Sequence, residues 1–184
     1  MSVALRFTLR AAPEQRLDLS PLVPERLFGC SGAEIERLPL GTTRAPVLVG
    51  DVFRVDFLKG ENVPEQVIIE GGSAQFDRVG EGMTSGTLIL EGDAGERAGR
   101  GMRGGRLEIR GRAGDWAASG LRGGVLVIEG DCGGFLGGPL AGEVEGMAGG
   151  AVVVRGSAGE RAGDRMRRGL IVVEGGPGDS SRAA

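Results

Sequence analysis

The sequence predicts an all-β fold: a right-handed parallel β-helix of about six 19-residue coils over residues 46–184, with a small α+β cap over residues 1–45. Three observations predict it. Glycine fills 37 of the 184 positions, about three times the ordinary ~7%, and most of these glycines recur in register. Short apolar triplets recur at the same step. From Glu91 on, the charge that follows each triplet alternates in sign from one repeat to the next.

Residues 1–45 do not repeat. Val3, Leu5, Phe7 and Leu9 alternate with other residues, the period-two pattern of a half-buried strand. Ser31 and Glu34 have the spacing of a capping box, which opens a short helix that runs to about Arg37 and stops at Leu38-Pro39. Residues 47–57 return to a strand pattern and lead into the coils. Covering the open edge of the first coil is the expected role of this cap, because exposed sheet edges invite aggregation.

The coils begin with Val67-Ile68-Ile69 and continue through Leu88-Ile89-Leu90, Leu107-Glu108-Ile109, Leu126-Val127-Ile128, Val152-Val153-Val154 and Ile171-Val172-Val173. From the second triplet on, one charged residue and then a glycine follow: Gly92, Gly111, Gly130, Gly156 and Gly175, at steps of 19, 19, 26 and 19. Met83, Met102, Leu121, Met147 and Met166 repeat the same four steps. Two marks therefore agree on one period and on one seven-residue insertion. A unit this short cannot bury its apolar face alone, but stacked copies form a continuous core. The corner glycines are expected to supply positive φ and to let successive backbones approach closely.

Stacking position by position gives a further check. The residue before each corner glycine reads Glu91, Arg110, Glu129, Arg155, Glu174, an alternation that avoids like charges on neighbours about 4.8 Å apart. Two residues after four of these glycines stand Ala94, Ala113, Cys132 and Ala158, so Cys132 fills a small-residue slot as a packed thiol. The insertion falls within residues 133–145 and carries Phe135 and Leu140, while the equivalent corner one coil earlier carries Trp116, the only tryptophan. Trp116, Phe135 and Leu140 form a candidate partner-contact surface; local packing over the corner is the alternative reading.

Composition excludes several chemistries. With no His, neither Ser-His-Asp nor Cys-His catalysis is available, nor any imidazole ligand for a metal. Cys30 and Cys132 match no zinc or redox spacing. A net charge of −3 without a basic block argues against nucleic acid as a partner. The sequence shows neither a signal-peptide core nor an apolar run of ~18 residues, so no membrane partner is expected and a reducing cytoplasm is the expected compartment. Gly99-Arg-Gly101-Met-Arg-Gly104 matches a dinucleotide pattern but leads into a strand where that motif needs a helix. Left-handed β-helix acyltransferases fit neither the period nor the absence of His. Asp93, Asp115, Asp131, Glu96 and Glu160 would be the carboxylates of a β-helix hydrolase or lyase, yet each lies in a repeated corner series with no differentiated acid and base. No catalytic, cofactor-binding or metal-binding residue is assigned.

The coil segments Gly80-Glu-Gly-Met-Thr-Ser-Gly, Gly99-Arg-Gly-Met-Arg-Gly-Gly and Gly146-Met-Ala-Gly-Gly resemble the GxGxG domain shared by glutamate synthase large subunits and the C subunit of formylmethanofuran dehydrogenase. Glu34-Ile-Glu-Arg-Leu-Pro-Leu, Val49-Gly-Asp-Val-Phe-Arg-Val55 and Gly114-Asp-Trp-Ala117 favour the formylmethanofuran dehydrogenase family, and the resemblance covers nearly the whole chain. It implies a noncatalytic scaffold subunit in one-carbon metabolism. Its partners would be amidohydrolase-like, formyltransferase and molybdopterin-protein-like subunits, which would hold the pterin and methanofuran-type carriers and any metals. The related formyltransferase/hydrolase complex of methylotrophic bacteria passes a formyl group from formyl-tetrahydromethanopterin to a methanofuran-type carrier and releases formate. Arginine supplies all but one (Lys59) of the 22 basic residues, a compositional pointer to that bacterial version. The alternatives are a structural domain of a glutamate synthase-like complex and a carboxylate-dependent enzyme. The family continues for further coils, so either a partner or the polar tail after Gly175 is expected to cover the sixth strand.

Overall fold

The computed structural model describes residues 2–42 and 45–175. The leader opens with β1 (Ser2–Leu9), whose alternation buries Leu5 and Phe7 completely. The short β2 (Leu17–Asp18) and the helical turn α1 (Pro24–Leu27) follow. Helix α2 (Gly32–Glu36) begins where the capping box predicts: Ser31 Oγ accepts from the Glu34 N–H, and the Glu34 carboxylate accepts from the Ser31 N–H at 2.7 Å. Strands β3 (Pro39–Thr42) and β4 (Val47–Leu48) come next. The expected strand over 47–57 is broken by α3 (Val49–Val52), whose first turn is held by the Asp51 carboxylate accepting from the Leu48 N–H at 3.0 Å. Strand β5 (Phe53–Gly60) then runs antiparallel to β1.

The repeats supply β6 (Gln66–Glu70), β7 (Phe76–Asp77), β8 (Thr87–Glu91), β9 (Arg103–Ile109), β10 (Gly123–Ile128), β11 (Ala148–Val154) and β12 (Arg168–Val173). One eight-stranded sheet has the order β12-β11-β10-β9-β8-β6-β1-β5, and a four-stranded sheet has the order β4-β3-β2-β7. This overturns the predicted all-β, right-handed parallel β-helix of about six coils with an α+β cap. The described residues form a mixed α/β arrangement of two sheets and three short helices. The physical reason lies in β1. It pairs parallel to β6 along one edge and antiparallel to β5 along the other, so leader and repeats share one sheet. Periodicity identifies equivalent residues but says nothing of a nonrepeating strand that joins them.

Within that sheet the strand register follows the sequence marks. Leu88 stands opposite Leu107, Leu107 opposite Leu126, Leu126 opposite Val152 and Val152 opposite Ile171. The first and third residues of each triplet from β8 to β11 face the core without exposure, and Met83, Met102, Leu121 and Met147 fill it from the connections. The charge ladder lies outside: Arg110 pairs with Glu91 at 2.9 Å, and Arg155 lies between Glu129 at 3.7 Å and Glu174 at 2.9 Å. Each such exposed pair contributes only about 0.2–1 kcal/mol, so the ladder guards the register more than it stabilises the fold. The polar tail expected over β12, at 176–184, lies outside the described residues. Among the described residues, no helix is long and apolar enough to cross a membrane.

The corner glycines act by close approach. Gly92 has φ +132°, whereas Gly111, Gly130, Gly156 and Gly175 are not in the left-handed region, which corrects the expectation of positive φ at the corners. A Cβ added to Gly111 would lie 2.5 Å from the carbonyl carbon of Gly92. One added to Gly130 would lie 2.8 Å from Gly111 O, and one added to Gly156 would lie 2.6 Å from Gly130 O. The column is a backbone-on-backbone contact with no room for a methyl group. Gly111→Ala should therefore cost about 1–3 kcal/mol in chemical denaturation. Gly111→Asn should be no milder; relief by Asn, which tolerates positive φ, would instead indicate a conformational requirement.

Candidate functional site

Five residues after Gly92, Gly111, Gly130 and Gly156 stand Arg97, Trp116, Phe135 and Arg161, and with Arg78 one repeat earlier they form a second column. All five have left-handed backbone, with φ of 57°, 62°, 56°, 57° and 57°. Such a conformation costs a residue with a side chain roughly 1–2 kcal/mol. The next repeat offsets it: the N–H groups of Arg78, Arg97, Trp116 and Phe135 donate to Glu96 O, Asp115 O, Gly134 O and Glu160 O at 2.8–2.9 Å. Stacking thus holds these bulky residues in a shared backbone geometry.

The aromatic members meet. The Trp116 and Phe135 rings stack with centroids 5.4 Å apart and planes 13° from parallel, and the Arg161 guanidinium lies 5.6 Å from the Phe135 centroid. Both rings are half-buried. Leu140, the third residue of the candidate contact surface, is fixed in the inserted loop, where its N–H donates to Glu143 Oε2 at 3.1 Å. The other oxygen of Glu143 is bound by Arg100, which also pairs with Glu81 at 3.2 Å. Sequence reasoning missed this Arg100 anchor, although Glu81 stands one 19-residue step before it; Glu143, 43 residues after it, lies in the insertion and off the repeat. The corner glycines pack closely and are also linked backbone to backbone: the N–H groups of Gly130, Gly156 and Gly175 donate to Gly111 O, Gly130 O and Gly156 O at 2.9–3.1 Å.

The carboxylates that a hydrolase reading would recruit are tied into the stack. Asp93 Oδ1 accepts from Arg112 N, Asp115 Oδ1 from Gly134 N and Asp131 Oδ1 from Ser157 N, at 2.7–2.9 Å. Asp77 accepts from Glu96 N in the same manner at 2.8 Å. Each of these four aspartates satisfies an N–H of the next repeat. The signal that reveals them is the doubled period: Asp77 to Asp115 and Asp93 to Asp131 each span two 19-residue steps. Glu160 is exposed, and Glu96 lies 3.9 Å from Arg16. Asp77 also grips Arg16 in two hydrogen bonds of 2.7 and 2.5 Å, which raises the Arg16 pKa against the opposing effect of burial. Among the described residues, no group of three His, Cys, Asp or Glu side chains is placed to hold a metal.

No family profile matches the chain. Over 89 residues, 48% of its length, it is 43% identical to the C subunit of the formyltransferase/hydrolase complex of Methylorubrum extorquens. It also resembles, with a TM-score of 0.83 and 40% identity, a chain in the crystal structure of the formyltransferase/hydrolase complex FhcABCD from Methylorubrum extorquens in complex with methylofuran. That match covers 90% of this chain. The chain is a homologue of the C subunit of the formyltransferase/hydrolase complex. It spans 32% of the curated relative and 61% of the crystallised chain.

In this homologue Cys132 is the packed thiol that the small-residue slot predicts. It is 6% exposed and lies between Ala113 and Ala158 in a parallel bridge ladder. Burial, helped by the charge of Asp115, pushes its pKa up to about 12. Both cysteines are free, and Cys30 is half-buried. A disulfide-exchange reagent at pH 8 should therefore modify Cys30 readily and Cys132 at least about 100-fold more slowly, with equal rates after denaturation. Fast modification of Cys132 in the folded chain would contradict the packed assignment.

Proposed function

We propose that this chain is a noncatalytic, cytoplasmic scaffold subunit of a formyltransferase/hydrolase complex. In that complex a formyl group passes from formyl-tetrahydromethanopterin to a methanofuran-type carrier and leaves as formate. The similarity carrying this reading is the 40% identity across 90% of the chain to a chain of such a complex. The chemistry and the carriers belong to amidohydrolase-like, formyltransferase and molybdopterin-protein-like partners. This chain supplies a stack whose carboxylates bind its own backbone and whose buried thiol is protonated.

The Trp116–Phe135 stack is the proposed contact with one partner, with Leu140 on the inserted loop beside it in sequence. Aromatic pairs on a rigid support lose little conformational freedom on docking and are frequent hot spots. Purification of the tagged chain from its host should recover the other subunits together with formyltransferase/hydrolase activity; recovery of the chain alone would sink the proposal. Trp116→Ala with Phe135→Ala should weaken assembly about 30-fold or more, the equivalent of a ~2 kcal/mol hot spot. If the rings serve only local packing, thermal stability should fall while assembly stays intact.

A further inference from the structure

The seven-residue insertion does more than present Leu140. It runs beside the stack and borders an open groove of about 480 Å³, whose lining includes Arg100, Arg103, Arg122, Glu143, Val144 and Glu145. The charges in this groove divide sharply. Arg100 is held by Glu81 and Glu143, and Glu145 pairs with Arg167 at 2.8 Å. Arg103 and Arg122 have no ion pair and no side-chain hydrogen bond among the described residues, and both are exposed. They hold equivalent places in adjacent repeats: Arg103 N donates to Met83 O and Arg122 N to Met102 O, each at 2.8 Å. The outer ladder alternates sign at neighbouring positions, as from Glu91 to Arg110. Here two arginines occupy equivalent places in successive repeats, and like charges so placed repel unless an acid lies against them.

The groove also carries an apolar element. Val144, at the tip of the insertion, is 76% exposed, the largest exposure of any large hydrophobic residue described. It is flanked in sequence by Glu143 and Glu145, whose charges are already neutralised from within the chain. An exposed aliphatic side chain beside two unpaired arginines is complementary to a protein segment that brings carboxylates together with an apolar residue. Arginine suits this task because its planar fork binds a carboxylate through two hydrogen bonds at once.

We infer that the groove beneath the insertion is a docking site for an acidic, apolar-containing segment of a partner subunit, gripped by Arg103 and Arg122 and capped by Val144. The inference rests on the proposed role as a complex subunit and adds a second contact surface to the Trp116–Phe135 stack. The insertion exists in one repeat, so it fixes where along the stack this partner sits.

The test uses the full chain and the other subunits of its complex, coexpressed and measured by biolayer interferometry from about 50 to about 300 mM salt. Arg103→Glu with Arg122→Glu should weaken association at least about 30-fold at low salt and flatten its salt dependence, because the attraction becomes repulsion. Val144→Asp should weaken it about tenfold. Arg54→Glu, a charge reversal on β5, should change it less than twofold. If the double reversal impairs folding, as judged by circular dichroism, Arg103→Gln with Arg122→Gln should still weaken binding about tenfold. Binding by the double reversal that equals wild type would overturn the inference while leaving the subunit role intact. A dimer of the chain alone that the reversal dissociates would also overturn it, by naming a second copy as the occupant. Failure of the wild-type chain to bind any of the other subunits would overturn the proposed role and the inference with it.

Discussion

The contact on which the rest of the structure depends is the approach of one corner glycine to the next. At Gly111, Gly130 and Gly156 the backbone of each repeat lies so close to the one before that a single added carbon would sit within 2.5–2.8 Å of it. That contact sets the vertical step, and the step aligns everything else. The apolar triplets face one another, the outer charges alternate, and the corner aspartates reach the N–H groups of the following repeat. A slip by one residue would turn the triplets inside out and drive Cβ atoms into backbone. Glycine here is a steric requirement between neighbouring repeats more than a conformational one at each corner.

The same constraint explains the unusual column beside it. Because each turn must present its N–H to the carbonyl of the next repeat, Arg97, Trp116 and Phe135 adopt left-handed backbone that their side chains disfavour. Once two aromatic residues occupy this column in adjacent repeats, their rings have to meet, and they stack almost parallel. The insertion before Met147 then breaks the regular step and builds a loop, anchored by Arg100, next to the same turns. The repeats thus create a rigid surface and the one irregularity gives it a landmark. This is the arrangement expected of a chain that positions partners.

Much of this was legible in the sequence because stacked repeats translate distance in space into fixed distance along the chain. The triplets, the core methionines, the charge ladder, the capping box at Ser31 and the burial of Cys132 all followed from local pattern or from counting steps. The fold class did not. Nothing in residues 2–9 announces that this strand joins the repeat sheet with β6 on one side and β5 on the other, since that pairing is set by long-range burial of Leu5 and Phe7. The helical turn at 49–52 was hidden inside an apolar run, where strand and helix patterns are hard to separate. The left-handed column was invisible because arginine, tryptophan and phenylalanine give no sign of positive φ. At the candidate site the sequence marked the aromatic residues but missed Arg100, whose pairing with Glu81 one repeat step away was a readable signal and whose link to Glu143 in the insertion was not.

In the proposed role the stack is a docking surface on its Trp116 and insertion side, while its corner column holds the register. Hydrogen–deuterium exchange of the chain, alone and within the assembled complex, tests it most directly. Peptides spanning 114–122 and 133–146 should gain protection on assembly, whereas those around Gly92, Gly111 and Gly130 should be protected equally in both states. Unchanged exchange across 114–122 and 133–146, with new protection confined to other faces, would contradict the claim.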